Sequence, residues 1–287
     1  MKHLSLFIEL TRLKKPIGFM LLFWPCAWGL TVAYNFEYNL NLYFFYLILF
    51  FLGSVLMRSA GCIVNDIFDK DFDIKVSRTK NRPIASGKIS IKLAIIYSCI
   101  LCLLALMVLL NFNYFTIVLA LGSMPLAFSY PLMKRFTYWP QLFLGITFNY
   151  GLILGWTAIY GQINLIPMLM YFGAIFWTLA YDTIYGFQDI KDDEVIGLRS
   201  TSIKFKKNPI IFLYISYGIF SLSLISIGFL MKLNYYYFIF LSLALIQMFL
   251  FQIKKLNIND SKICLNIFKS NNFLGLIIFI SLIMGKI

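Results

Sequence analysis

The chain has 287 residues, 61% of them hydrophobic and only 13% charged, with a mean hydropathy of +0.81; ordinary soluble domains are about half apolar and a quarter charged. That much apolar surface cannot be hidden in a water-soluble core, which excludes an aqueous enzyme and points to an all-α, polytopic protein held in a lipid bilayer. The formal charge of +13, from 25 Lys and Arg against 12 Asp and Glu, would suggest nucleic acid in a soluble protein, but in a membrane chain it reads as topology and implies no nucleic-acid partner.

Nine apolar segments are long enough to cross about 30 Å of hydrocarbon at about 1.5 Å per residue. They are 17–34, 41–64, 90–110, 113–131, 138–160, 163–185, 209–231, 234–252 and 268–285. The runs are continuous, without the period-two alternation of barrel strands, so helices are expected. The first run continues to Tyr34 without an A-x-A cleavage site, so it is kept as a span and no signal peptide is expected. Very short turns part the third span from the fourth and the seventh from the eighth. The whole of 1–287 reads as one membrane domain.

Orientation follows from counting. With the N-terminus on one side, 22 of the 25 cations share that side, against Lys232 and Lys286 on the other and Arg58 inside the second span. By the positive-inside rule the crowded side is cytoplasmic, in a bacterium the cytoplasmic face of the inner membrane. The five cysteines lie mostly in apolar runs, and Cys99 and Cys102 form a lone C-x-x-C with no second pair, so all are read as packing residues.

Nine of the twelve acids form two clusters on the cytoplasmic side: Asp66, Asp69, Asp71 and Asp73 after the second span, and Asp182, Asp189, Asp192, Asp193 and Glu194 after the sixth. Each runs on into a basic segment, Ser77-Arg78-Thr79 and Arg199-Ser200-Thr201. Four spans separate them, which fits a four-plus-four repeat with one extra helix. On a continuous helix Asn65, Asp69 and Asp73 would stack at i, i+4 and i+8, with Asp66 at the edge and Asp71 pointing away to solvent. Asp182, Asp189 and Asp193, at i, i+7 and i+11, would form a second stripe. Facing carboxylates without His or Cys select a hard cation, and Mg²⁺ held by carboxylates keeps positions for substrate phosphate. Asn65, Asp66, Asp69 and Asp73 on the first stripe and Asp182, Asp189 and Asp193 on the second are the candidates for holding the metal. The basic neighbours, Arg12, Lys14, Lys15, Arg78, Arg82, Lys134 and Arg135, are candidates for diphosphate.

Arg58 lies seven residues before Asn65, deeper in the membrane, where an arginine needs a partner. That partner is either an acid such as Asp182 or an anionic substrate. A transporter would carry such charges at the bilayer midplane on broken helices, not at helix ends.

The run from Arg58 through Asn65, Asp66, Asp69 and Asp73 to Arg78, Arg82 and Pro83 resembles the N-D-x-x-D-x-x-x-D motif of the UbiA superfamily of intramembrane prenyltransferases. Tyr181-Asp182-Thr183-Ile184-Tyr185, Gln188-Asp189, Asp192-Asp193 and Gly197 to Thr201 resemble its second motif. The flanks Lys15-Pro16-Ile17-Gly18, Trp24-Pro25 and Tyr130-Pro131 with Lys134-Arg135 narrow the resemblance to the branch that prenylates 4-hydroxybenzoate in ubiquinone biosynthesis. Lys14, where an acid is expected, and Gly186, where alanine is usual, depart from it.

The resemblance implies nine helices and two substrates, a polyprenyl diphosphate and 4-hydroxybenzoate. It implies Mg²⁺ on Asn65, Asp69, Asp73, Asp189 and Asp193, with Arg78, Lys134 and Lys15 on the diphosphate and Tyr185 in the substrate site. Ionisation of the allylic C–O bond would give a cation, attacked by the ring carbon ortho to the phenol hydroxyl. Arg58, with Arg135 next in line, would take the acceptor carboxylate, and Asp182 would polarise its hydroxyl. Sister enzymes with haem, homogentisate or naphthoate as acceptor share the motifs.

Overall fold

The computed structural model describes residues 2–37, 39–76 and 78–287. Ser77 and the side chain of Lys2, both counted above, lie outside that description. Among the described residues every regular element is helical. The expected first span is α2 (Ile17–Ala33), preceded by an amphipathic α1 (Lys2–Leu10). The second is α3 (Leu40–Phe68), followed by the short α4 (Lys70–Asp73), and the third is α5 (Ile91–Leu109). The fourth is built from α6 (Tyr114–Gly122), α7 (Met124–Ser129) and a 3₁₀ turn (Tyr130–Arg135). Then come α8 (Pro140–Tyr160) and α9 (Leu165–Gly186), with the short α10 (Ile190–Val195) and α11 (Thr201–Lys204) after them. α12 (Pro209–Leu230), α13 (Tyr235–Ile246) with its π-helical end Gln247–Ile253, and α14 (Ser261–Met284) complete the chain.

Eight of these are long and apolar enough to cross a membrane by length and composition, and α2 is a shorter apolar helix. The chain is an integral membrane protein. One boundary is corrected: the last span begins at Ser261, not 268, because the Asp260 side chain accepts from the amides of Lys262 and Ile263 and starts the helix early.

Spans entering from the sparsely charged face share one start signal. Asn39, Asn113, Asn164 and Asn234 each stand at the N-cap of α3, α6, α9 and α13, and each side chain accepts from an amide of the first turn. A free backbone N–H is costly near hydrocarbon, so an uncharged cap serves better there than an ionised one.

α2 sits centrally and packs on α3, α8 and α14, while α9 joins α8, α12 and α14. The α2–α8 crossing is close because side chains are missing. A Cβ on Gly29 would lie 2.0 Å from the Leu152 carbonyl oxygen, and one on Gly155 2.4 Å from the Cys26 oxygen. Gly151 and Gly155 form a G-x-x-x-G on α8, the arrangement that lets membrane helices approach by packing where water exclusion drives nothing. Several polar atoms inside the bundle are paired across helices. The Trp28 indole donates to the Gly275 carbonyl at 3.0 Å and the Trp177 indole to Asn271 Oδ1 at 2.9 Å. Lys286 Nζ donates to the carbonyls of Thr31 and Val32, closing the end of α2.

α5 packs along α3, whereas α6 and α7 touch α8 and α3 only lightly. Between these elements lies an apolar chamber of about 610 Å³, with walls from α2, α3, α5, α7 and α8.

Gly29→Ala should force α2 from α8 and cost about 1–3 kcal/mol, read as a lower unfolding temperature in detergent. Gly218→Ala, where a Cβ meets nothing within 4 Å, should leave stability unchanged or raise it by up to about 1 kcal/mol. Equal effects would remove the close-approach explanation.

Candidate active site

Both acidic motifs lie where a span ends and a short helix follows: α3 then α4, α9 then α10. This repeated break corrects the expected single-helix stripes. The chain leaves α3 at Asp69, whose φ of −92° and ψ of 0° are not helical, and Asp73 sits on the separate α4. Likewise α9 ends at Gly186 and Asp189 starts α10. Proximity is kept by hydrogen bonds rather than by helical phase. Asn65 Nδ2 donates to Asp69 Oδ2 at 2.9 Å, and the Thr79 hydroxyl donates to the Asp73 carbonyl at 3.0 Å.

Asp66, Asp69 and Asp73 are only 2%, 2% and 6% exposed, so each charge needs a partner. Arg82 reaches Asp73 at 2.7 Å and Asp66 at 3.1 Å, and Arg12 also pairs with Asp66. Lys134 Nζ reaches Asp69 Oδ2 at 2.6 Å. The two motifs are joined by Arg78, whose Nε donates to Asp189 Oδ1 at 2.8 Å and whose Nη1 donates to the Tyr185 hydroxyl at 2.9 Å. Burial opposes the Arg78 charge, but Tyr185 and Asp189 outweigh it and raise its pKa. Burial pushes the Asp193 carboxyl up to about 6, with the neighbouring Asp189 charge adding to it. Burial likewise raises Asp73, against the pull of Arg82. Asp71 is exposed, as its position suggested.

The loop after α10 folds back over the 3₁₀ turn. The Arg199 amide donates to the Lys134 carbonyl at 3.0 Å, and Ser202 Oγ donates to the Thr183 carbonyl at 2.8 Å. A Cβ on Gly186 would lie 2.3 Å from that Ser202 oxygen, which is why glycine suits this position here.

Three expected roles shift. Lys15 is exposed and, among the described residues, its side chain meets no acid; Arg12 makes the contact from that segment. Arg135 donates to the Phe68 carbonyl at 2.6 Å and covers the Phe72 ring, so it caps the end of α3. Asp66 is committed to two guanidinium groups, Arg12 and Arg82, and shares the second with Asp73. The sequence marked Arg12 and Arg82 only as members of basic clusters; that arginine, unlike lysine, can bridge two carboxylates was the available signal.

Arg58 lies deeper, in the chamber wall. Its Nε is buried without a hydrogen-bond partner, its Cζ is 5.2 Å from the Phe148 ring centre, and Tyr130 stands beside it. Among the described residues no carboxylate comes within ion-pair distance of it, Asp182 included. Gly18 makes the room: a Cβ there would be 2.8 Å from Arg58 Nε.

The acids offer oxygen donors only. Among the described residues no three of them converge as a metal cluster, because the basic side chains are threaded between them. Asp69 Oδ1, however, is buried and has no hydrogen-bond partner, a free carboxylate oxygen at the centre of the site. This donor set fits a hard divalent cation once Lys134 and Arg78 turn to a phosphate. Carboxylates interleaved with arginine and lysine, beginning one turn of α3 beyond the chamber residue Gly61, can hold a diphosphate with an apolar tail.

The model of the UbiA prenyltransferase family matches residues 22–282. The chain belongs to the UbiA prenyltransferase family. It is 42% identical to the human mitochondrial 4-hydroxybenzoate polyprenyltransferase over all of this chain and 76% of that one. It is also 42% identical to the Arabidopsis thaliana protein of the same name, over 98% of this chain and 68% of the other. Among solved structures, an Aeropyrum pernix UbiA homologue superposes with a TM-score of 0.73 at 23% identity, covering 93% of this chain and 96% of the other. An Archaeoglobus fulgidus UbiA homologue bound to GPP and Mg²⁺ gives 0.69 at 18% identity, covering 97% and 99%. At these identities the structures establish the shared fold. The UbiA fold carries both acidic motifs of this chain at its charged face.

Replacing Asp69, Asp73, Asp189 or Asp193 by alanine should each lower prenyl transfer by about a hundredfold or more, with the protein still inserted in membranes. Asp71→Ala should stay within about twofold of wild type, as an exposed change does. An equal loss at Asp71 would bring it into the site and overturn the assignment.

Proposed function

We propose that this UbiA-family protein transfers a polyprenyl group from polyprenyl diphosphate to the ring carbon ortho to the hydroxyl of 4-hydroxybenzoate, a step of ubiquinone biosynthesis. The observation that carries the reading is Arg58, a guanidinium in the core of a span, beside an apolar chamber and, among the described residues, with no carboxylate at ion-pair distance. An intramembrane arginine calls for a counter-charge, and an aromatic acceptor with its own carboxylate supplies one. The named relatives, near 40% identical over the whole chain, act on such an acceptor by their names.

The donor binds with its diphosphate among the acidic motifs and its tail in the chamber. Arg78 releases Asp189 and Lys134 releases Asp69 to hold the diphosphate oxygens, Arg78 by a fork and Lys134 as a point charge. Asn65, Asp69, Asp73, Asp189 and Asp193 would then hold Mg²⁺, which when bound neutralises diphosphate charge and favours its departure. The allylic C–O bond breaks, its electron pair leaving with the diphosphate. The acceptor, its carboxylate on Arg58, presents the carbon ortho to its hydroxyl, the new C–C bond forms, and the ring proton at that carbon passes to the departed diphosphate. Asp182, one residue from the buried Tyr181 and in the electrostatic reach of Arg58, polarises the hydroxyl. Tyr185 stays beside Arg78 and keeps its fork oriented.

The positive-inside count puts the N-terminus and the acidic motifs on the cytoplasmic face, in a bacterium that of the inner membrane; the named relatives are mitochondrial.

Membranes carrying the protein, with Mg²⁺, a labelled polyprenyl diphosphate and a panel of 4-hydroxybenzoate, homogentisate and a naphthoate, should yield labelled product with 4-hydroxybenzoate, and none with excess chelator. Arg58→Leu should raise the KM for 4-hydroxybenzoate by about tenfold to a hundredfold, the worth of a charge-assisted bond, at unchanged donor KM. Arg58→Lys should be partly active. Arg78→Ala and Lys134→Ala should instead raise the donor KM and lower kcat. A normal acceptor KM in Arg58→Leu would move the carboxylate to another cation and sink this assignment.

A further inference from the structure

We propose that the stacked rings of Tyr46 and Phe112 form the floor of the prenyl chamber and fix how many isoprene units the protein holds before the tail must turn out into lipid; this rests on the prenyl-transfer reading above. The chamber runs along α3, whose wall residues descend from Gly61 and Arg58 through Gly53 to Phe50 and Leu49. Gly61 to Leu49 spans a helical rise on the order of 18 Å. An isoprene unit adds four chain carbons joined by bonds of about 1.5 Å, roughly 5 Å when extended. The chamber therefore takes about three to four units.

At its lower end Phe112, in the short turn between α5 and α6, is buried against Phe50 with ring centres 4.7 Å apart. On its other side it stacks on Tyr46 at 5.3 Å and 16°. Phe50 and Phe112 line the chamber, whereas Tyr46 lines a second cavity, of about 460 Å³, among Tyr34, Asn39 and Tyr160 near the opposite face of the bundle. The two cavities share no lining residue. The ring pair is the partition between them, and thinning it joins them into one longer channel.

The size of the effect follows from the medium. A tail that enters from lipid gains little from leaving water, so the protein distinguishes lengths by packing alone. Each unit that fits should tighten binding by a few-fold, and units beyond the floor should add nothing.

The test compares the whole protein in one detergent–lipid mixture with donor diphosphates of two to six isoprene units. Donor binding is read as thermal stabilisation without acceptor, and donor KM is read with 4-hydroxybenzoate. In wild type, binding should strengthen up to three or four units and then level off. Phe112→Leu, which lowers the partition while keeping an apolar side chain, should move that break outward by at least one unit. Gly53→Leu should move it inward. A Cβ at Gly53 has its nearest neighbour, Val108 Cγ1, at 3.9 Å, and leucine favours the helix, so this variant fills the chamber without breaking the fold. If all three proteins give the same length profile, the tail leaves between α5 and α6 above the rings and the floor is refuted. If wild type binds donors with the expected break but prenylates no 4-hydroxybenzoate, the acceptor reading fails and the floor stands.

Discussion

Acidic side chains buried at the end of a membrane bundle cannot stay ionised together unless positive charge is placed between them. Here Arg12, Arg78, Arg82 and Lys134 supply it, each from a segment other than the helix end whose acid it meets. The α1–α2 turn, the loop after α4 and the 3₁₀ turn before α8 are all drawn to one point by this requirement. The fold below can then be almost wholly apolar, since its electrostatics are settled at the rim. The same arrangement leaves cations next to carboxylates, ready for an anionic guest that carries its own countercharge.

Much of this was legible in the sequence, and the reason is the solvent. Hydrocarbon forces every spanning segment to satisfy its own backbone, so length and apolar content were enough to find the nine apolar helices. The limits appear where the chain leaves the hydrocarbon. Extending helical phase from Asn65 through Asp69 to Asp73 failed because, outside lipid, nothing obliges the backbone to stay helical, and aspartate itself favours helix ends. Lys15 and Arg12 looked equivalent as cations three residues apart. Only the turn at Arg12, with φ of 57°, swings that guanidinium towards Asp66. Nor could the sequence decide whether an acid stands at ion-pair distance from Arg58, because that distance is set by how separate spans pack.

Charge and hydrocarbon are kept apart along the axis of α3. Its C-terminal end carries Asn65 and Asp66, its middle carries Arg58, and its lower third carries Leu49 and Phe50. One helix thus grades from water-like to oil-like surroundings over its length. A molecule with an ionic head, an allylic centre and an apolar tail fits that gradient in a single orientation, which holds its reacting carbon at a defined depth.

The contacts between α2 and α14 bear on assembly. The first span leaves an indole N–H at Trp28 and two carbonyls at Thr31 and Val32 that are met by Gly275 and Lys286. A nascent chain inserted as far as α13 therefore holds an unfinished first helix, with polar groups facing a medium that offers no water in exchange. Arrival of the ninth span is felt at the first, so a partly inserted intermediate differs chemically from the completed bundle at its earliest helix.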